Sequence, residues 1–267
     1  MPKPKTKNRY TQLLERVFFK HYQDGDITVT CLRDEFAEIA QELGIRLPKN
    51  LGDLLYSFRY RTELPDTIVE KALPGLEWII RPAGKSVYQF ALVPLAVIVP
   101  TAGLVQTKIP DATPEVIALY AQSDEQALLA KLRYNRLIDL FTGLVCYSLQ
   151  NHFRTTVPEM GQVETDELYV GLDRRGVHYV LTVQAKGGHD KLGIVQIEQD
   201  FAVCEAKFPA LVSRPLAAQF MADGVIALFE FARTNDGVRV AAEKHYRLVQ
   251  GQDVSAEELQ AYQKRPD

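Results

Sequence analysis

The stretch QVETDELYVGLDRRGVHYVLTVQAK, residues 162–186, decides how the chain is read. Its two ends are rich in Val, Leu, Tyr and Thr and run as β-strands do. Strands are expected over 162–172 and 177–186, with Asp173-Arg174-Arg175-Gly176 between them. A two-residue loop would force Arg174 and Arg175 both to positive φ, which is costly for a residue with a Cβ. A three-residue loop places Gly176 at the left-handed position instead. Pairing then begins with Asp173 opposite Val177 and steps outward. Asp166 falls opposite Gln184, and Glu164 opposite Lys186. Side chains paired in this way have Cβ atoms roughly 5 Å apart. Alternation along a strand puts Glu164 and Asp166 on one face with Leu168, Val170 and Leu172, and puts Gln184 and Lys186 with Val180. An acid on an apolar face is costly unless a charge or a metal ion meets it.

A carboxylate, an amide and an ammonium gathered at one spot suit phosphodiester hydrolysis. That reaction uses a divalent ion to polarise the phosphate and activate a water. Magnesium takes oxygen ligands and keeps several waters. The expected ligands are Asp166, the amide oxygen of Gln184, the backbone carbonyl of Ala185, and Glu164. Lys186 is expected to orient the water or stabilise the transition state, an electrostatic role.

An Asp followed by Gln-x-Lys on a hairpin, with a helix before it, resembles the PD-(D/E)XK nuclease superfamily. Asp166 corresponds to that family's first motif acid. Gln184-Ala185-Lys186 corresponds to its (D/E)-x-K, in the Gln form of the Mrr-like restriction enzymes. The resemblance covers about residues 113–250. No Pro precedes Asp166, and Gln in place of the middle acid lowers the ligand charge by one. The resemblance implies an α/β (α+β) domain with a restriction endonuclease-like mixed sheet flanked by helices. It also implies a Mg2+-dependent endonuclease of the type II restriction kind, cutting double-stranded DNA. Members carry an acid on the helix before the hairpin. Glu125 is the candidate, ahead of Glu115 and Asp139.

Outward from the hairpin, Thr113-Pro114-Glu115 opens a helix with Pro at its first position. Ser123-Asp124-Glu125-Gln126 opens a second one by a capping box. This helix is expected to run to about Gln150, because Leu128, Leu129, Leu132, Leu137, Ile138, Phe141, Leu144, Val145 and Leu149 line it. After the hairpin come Gly187-Gly188-His189-Asp190-Lys191, in which His189 and Lys191 are candidate DNA contacts. A helix over 192–208 and strands around 225–231 and 238–249 follow.

Residues 1–95 form a second region. Helical spacing of Leu13, Leu14, Val17 and Phe18, a strand at 27–30, helices over 33–43 and from Asn50, and a hairpin of 78–81 with 87–92 give an element order. That order resembles a winged helix-turn-helix. The resemblance makes this a DNA-binding domain, with Lys49, Asn50, Arg59 and Arg61 as contacts from the third helix and the turn before it. Arginine suits phosphate and guanine because its planar fork donates two hydrogen bonds at once. Residues 96–112 read as a linker, and 113–267 as the nuclease-like domain.

The totals narrow the class. The net charge of −3 is not that of a basic nucleic-acid protein, but Lys3, Lys5, Lys7 and Arg9 gather at the start with no acid among them. No apolar run is long enough to span a bilayer, and the N-terminus has no apolar stretch of a secretory signal. Cys31, Cys146 and Cys204 are too dispersed for a zinc ribbon or a disulfide framework, so a reducing cytoplasm is expected. HExxH, GxSxG and Walker motifs are lacking, which removes zinc protease, hydrolase and NTPase classes. With one site per chain, cutting both strands calls for a homodimer. The competing class is a non-catalytic DNA-binding regulator, with a winged module and a degenerate nuclease-like domain. Cleavage that needs Asp166 and Lys186 separates the two.

Overall fold

The computed structural model describes residues 9–49, 51–60, 62–120, 125–188, 190–221, 223–235 and 237–265. The chain divides into two compact units. One comprises 1–98, 155–163 and 191–202, and the other 99–154, 164–190 and 203–267. The expected domains 1–95 and 113–267 correspond to these in the main, with 155–163 and 191–202 added to the first unit.

The first unit opens with α1 (Arg9–His21), β1 (Thr28–Leu32), α2 (Arg33–Glu42), α3 (Leu51–Tyr60) and α4 (Asp66–Val69), then β2 (Glu77–Pro82) and β3 (Val87–Val93). Leu13, Leu14, Val17 and Phe18 of α1 are fully buried, as their spacing predicts. Glu35 accepts the backbone N–H of Leu32 at 2.8 Å, which satisfies an orphan donor at the start of α2. Gly44, at φ 64°, turns the chain after that helix. The three strands form an antiparallel sheet in the order β1-β3-β2. Phe18 meets Trp78 and Phe90 edge-on at 5.2 and 5.1 Å.

The expected linker 96–112 is structured. It carries β4 (Val97–Ile98) and β5 (Gln106–Pro110), and β-branched residues in both find pairing partners. Then follow α5 (Glu115–Tyr120), α6 (Glu125–Tyr134), α7 (Leu137–Thr142), β6 (Val145–Val157), β7 (Gly161–Leu172) and β8 (His178–Lys186). The remaining elements are β9 (Leu192–Gly193), α8 (Ile194–Lys207), β10 (Val212–Ser213), β11 (Leu216–Phe220), β12 (Ile226–Thr234), β13 (Gly237–Val249) and α9 (Ala256–Tyr262). The short strands β4 and β9 pair with each other in the first unit.

Among the described residues, the large sheet has eight strands in the order β5-β13-β12-β11-β8-β7-β6, with β10 also pairing with β8. It is mixed. The pairs β7–β8, β11–β12 and β12–β13 are antiparallel, while β8–β11 and β5–β13 are parallel. On one face, Leu128, Leu129 and Leu132 of α6 and Leu137, Ile138 and Phe141 of α7 cover Leu181, Val183 and Ala185 of β8. On the other, Cys204 of α8 packs with Leu168 and Val180.

The long helix expected from 123 to 150 is corrected. Arg136 adopts φ 49° between α6 and α7, and Gly143 adopts φ 68° after α7, so the helix stops twice. From Val145 the chain is a strand. Leu144, Val145 and Leu149 fit helical spacing by count, yet Val145, Tyr147 and Leu149 are all exposed while Cys146 is buried. That is the alternation of an edge strand, and no helical face is formed.

Gly171 on β7 shows how closely this unit packs. An added Cβ would lie 3.0 Å from both Leu144 Cδ1 and Leu181 Cδ1 and 3.4 Å from Cys146 Sγ. Overpacking of this kind costs about 1–3 kcal/mol. Gly171→Ala is expected to lower the urea midpoint with an unchanged m-value.

Candidate active site

The hairpin of β7 and β8 sets the site. Asp173 closes its turn: Oδ1 accepts the N–H groups of Arg175 and Val177 at 2.8 and 2.9 Å, and Oδ2 accepts from Arg175 Nε at 2.9 Å. These bonds hold the Asp173 carboxyl well down, at about 2. Gly176 takes φ 79°, so the loop is the three-residue type that spares both arginines the left-handed region. Cα partners run from Leu172 with His178 to Glu167 with Val183. Asp166 and Gln184 are next in step.

There the ladder gives way to side-chain bonds. Asp166 Oδ2 accepts the backbone N–H of Ala185 at 2.8 Å. Gln184, 2% exposed, donates from Nε2 to the carbonyl of Glu164 at 3.4 Å. Lys186, the last residue of β8, places Nζ 2.9 Å from Glu125 Oε1, at the first residue of α6. Burial raises the carboxyl pKa of Asp166. The Ala185 N–H, the Lys186 ammonium and His152 pull it back, and Glu125 pushes it further up. The result is a half-buried carboxylate incompletely compensated, facing a lysine shared with a second carboxylate.

The structure therefore brings together Asp166, Gln184, Ala185, Lys186 and Glu125. Of the helix acids, Glu125 alone meets Lys186: Asp139 accepts the Cys146 N–H at 3.0 Å and pairs with Arg136, and Glu115 is exposed on α5. Glu164 is placed differently from the sequence expectation. Its carboxylate pairs with Arg154 at 3.0 Å and with His152 at 3.5 Å, both on β6, and not with Lys186. The neighbouring strand β6 offers Glu164 the Arg154 guanidinium in place of the ammonium expected across the hairpin.

Two neighbours were missed by sequence reasoning. Gln126, beside Glu125, donates to the His152 ring at 2.9 Å. His152 lies on β6, where the sequence predicts helix up to about 150 and assigns no element beyond it. Its signal was weak: one His among exposed polar residues.

Among the described residues, no three His, Cys, Asp or Glu side chains converge as a metal cage. The donors present are Asp166 and Glu125, with the Gln184 amide and the Ala185 carbonyl nearby. Magnesium is held in many sites by one or two carboxylates, with waters and substrate phosphate completing the shell. An all-oxygen set around a half-buried carboxylate fits that chemistry.

The expected DNA contacts are scattered. Lys49 is exposed before α3. Arg59 is half-buried, with its guanidinium 6.0 Å from the centre of the Tyr88 ring, so packing takes up part of a side chain expected to face solvent. Lys191 is exposed and 3.5 Å from Glu63. Asn50, Arg61 and His189 lie outside the described residues. No helix among the described residues is long and apolar enough to cross a membrane. Comparison with protein families, curated proteins and solved structures finds no match.

Proposed function

We propose that the chain is a Mg2+-dependent endonuclease acting on duplex DNA, with Asp166, Gln184, Lys186 and Glu125 as its working residues. The observation that carries this is the meeting of Lys186 with Glu125 at 2.9 Å, with the half-buried Asp166 near enough to feel both charges. Packing gives no reason to gather two acids and one lysine at the end of a sheet, since burying charge costs several kcal/mol. The connectivity supports it too. Helices α6 and α7 lead into the meander β6-β7-β8, and α8 crosses over to β11, parallel to β8. This helix, three-strand, helix, strand order resembles that of a restriction endonuclease-like core.

Asp166 and Glu125 would hold the ion with the Gln184 amide oxygen and the Ala185 carbonyl, and the bound ion supplies Lewis-acid activation of phosphate and water. The Ala185 N–H holds one oxygen of the Asp166 carboxylate at 2.8 Å, and the other would be the one to meet the ion. Lys186, held by Glu125, would stabilise the negative charge that grows on the phosphoryl oxygens. Gln184, anchored to the Glu164 carbonyl, keeps the end of β8 in place.

In the first unit, the order helix, strand, three helices, strand, strand, with the short α4 before the last two strands and sheet order β1-β3-β2, supports a winged-helix role in holding DNA. A type II restriction activity is the specific form proposed, with two copies supplying one site per strand. A second reading, a DNA-binding regulator without chemistry, draws on Gln184 standing where an acid is usual.

Supercoiled plasmid incubated with the protein and Mg2+ decides between them. Conversion to nicked and linear forms, stopped by a chelator, is expected. Retardation of duplex with no cleavage under Mg2+ or Mn2+ would favour the regulator.

A further inference from the structure

We propose that His152 is a positioning residue of this site: it ties the first turn of α6, and so Glu125, to the strand that carries Asp166. The inference rests on the nuclease reading above.

His152 stands at φ 48° in the interior of β6. The other described non-glycine residues at positive φ are Ser86, Arg136 and Glu159, and these sit at turns between elements, where a left-handed residue reverses the chain. In mid-strand such a residue interrupts the ladder and gains nothing locally. Burial does not compensate either, since the His152 side chain is 52% exposed. What the conformation does achieve is a bridge. Gln126 Nε2 donates to the ring Nε2 at 2.9 Å, which leaves the proton on Nδ1, 3.5 Å from Glu164 Oε1. One end of the bridge is thus next to Glu125 on α6, and the other is two residues from Asp166 on β7. Leu128 packs the inner side of the first turn of α6 against β8, and at its outer side Glu125, about one-third exposed, pairs with Lys186. Without His152, Leu128, Leu129 and Leu132 would still seat α6 on β8, but its first residue, Glu125, would lose this tie and move away from Lys186 and Asp166.

A residue selected to hold a helix in register should be costly in the resting fold and needed during turnover. Asn tolerates the left-handed region and carries an amide able to serve both Gln126 and Glu164. Gly tolerates it and serves neither.

The test is steady-state cleavage of a duplex substrate by the full chain, with thermal melting beside it. For His152→Ala and His152→Gly, kcat is expected to fall about tenfold, with KM for DNA within about twofold and the Mg2+ needed for half-maximal rate raised several-fold. This is the pattern of an interaction needed in the transition state. His152→Asn is expected to restore most of kcat. His152→Gly is expected to melt no lower than the wild type. Wild-type kcat and Mg2+ requirement in His152→Ala would overturn the proposal alone. So would parallel loss of melting temperature and activity in Ala, Gly and Asn variants, which marks a merely structural residue. A wild-type protein that does not cut would remove the nuclease reading and this proposal with it.

Discussion

Lys186→Ala is expected to reduce Mg2+-dependent cleavage by about 100- to 1000-fold, the usual loss when one preorganised donor to developing charge is removed. Duplex binding should stay within about threefold, because DNA affinity is supplied mainly by phosphate contacts spread over the protein. The prediction follows from the position of Nζ. It lies 2.9 Å from Glu125, with the side chain nearly buried and Asp166 close enough to feel its charge. Lys186→Arg should recover little. A planar fork cannot occupy the space of a compact ammonium without moving Glu125. Single-turnover rates on a labelled duplex, with gel retardation in Ca2+ for binding, measure both quantities.

Asp166→Asn is expected to abolish cleavage while making the metal-free protein more stable at neutral pH. Burial raises the Asp166 carboxyl above its ordinary 3.8, so the folded protein holds this proton more tightly than the unfolded chain. Stability then falls as pH rises through the window from 3.8 to the raised folded value, and the cost persists above it. Below 3.8 Asp166 is protonated in both states and the cost vanishes. Asparagine carries no charge to desolvate, and its Oδ1 can still accept the Ala185 N–H. The variant should therefore melt higher than wild type at pH 7 without divalent ions, and the difference should close as pH drops toward 3.8. Saturating Mg2+ should reverse the order. An ion at 100 times its Kd stabilises the fold that binds it by about 2.7 kcal/mol, and Asp166→Asn forfeits a charged ligand. Melting curves with and without Mg2+ check both arms. A variant less stable than wild type in metal-free buffer at pH 7 would mean that Asp166 is a structural carboxylate.

Much of this site could be read from residues alone because a hairpin is local. The composition of Asp173 to Gly176 fixes the loop, the loop fixes the register, and the register fixes which side chains meet. The same holds in the first unit, where Leu13, Leu14, Val17 and Phe18 recur at helical spacing and are the buried face of α1. What failed depended on distant partners. Val145 and Leu149 stand four apart, which fits a helix and a strand alike, and pairing with β7 decides for the strand. Glu164 was assigned to Lys186 because only the hairpin partner was visible. Arg154 and His152 arrive from the part of β6 beyond residue 150, to which the sequence assigns no element, so neither can be placed beside the hairpin from sequence. Residues 106–110 look like a linker until β13 lies alongside them.

One experiment bears on the whole proposal: cleavage of supercoiled plasmid in Mg2+ by wild type, Asp166→Ala and Lys186→Ala, with folding verified by melting and duplex binding measured in parallel. Wild type is expected to nick and linearise the plasmid. Both variants should leave it intact while still folding and binding. Cleavage that survives both substitutions would show that the chemistry, if this chain performs it, lies away from the β7–β8 hairpin.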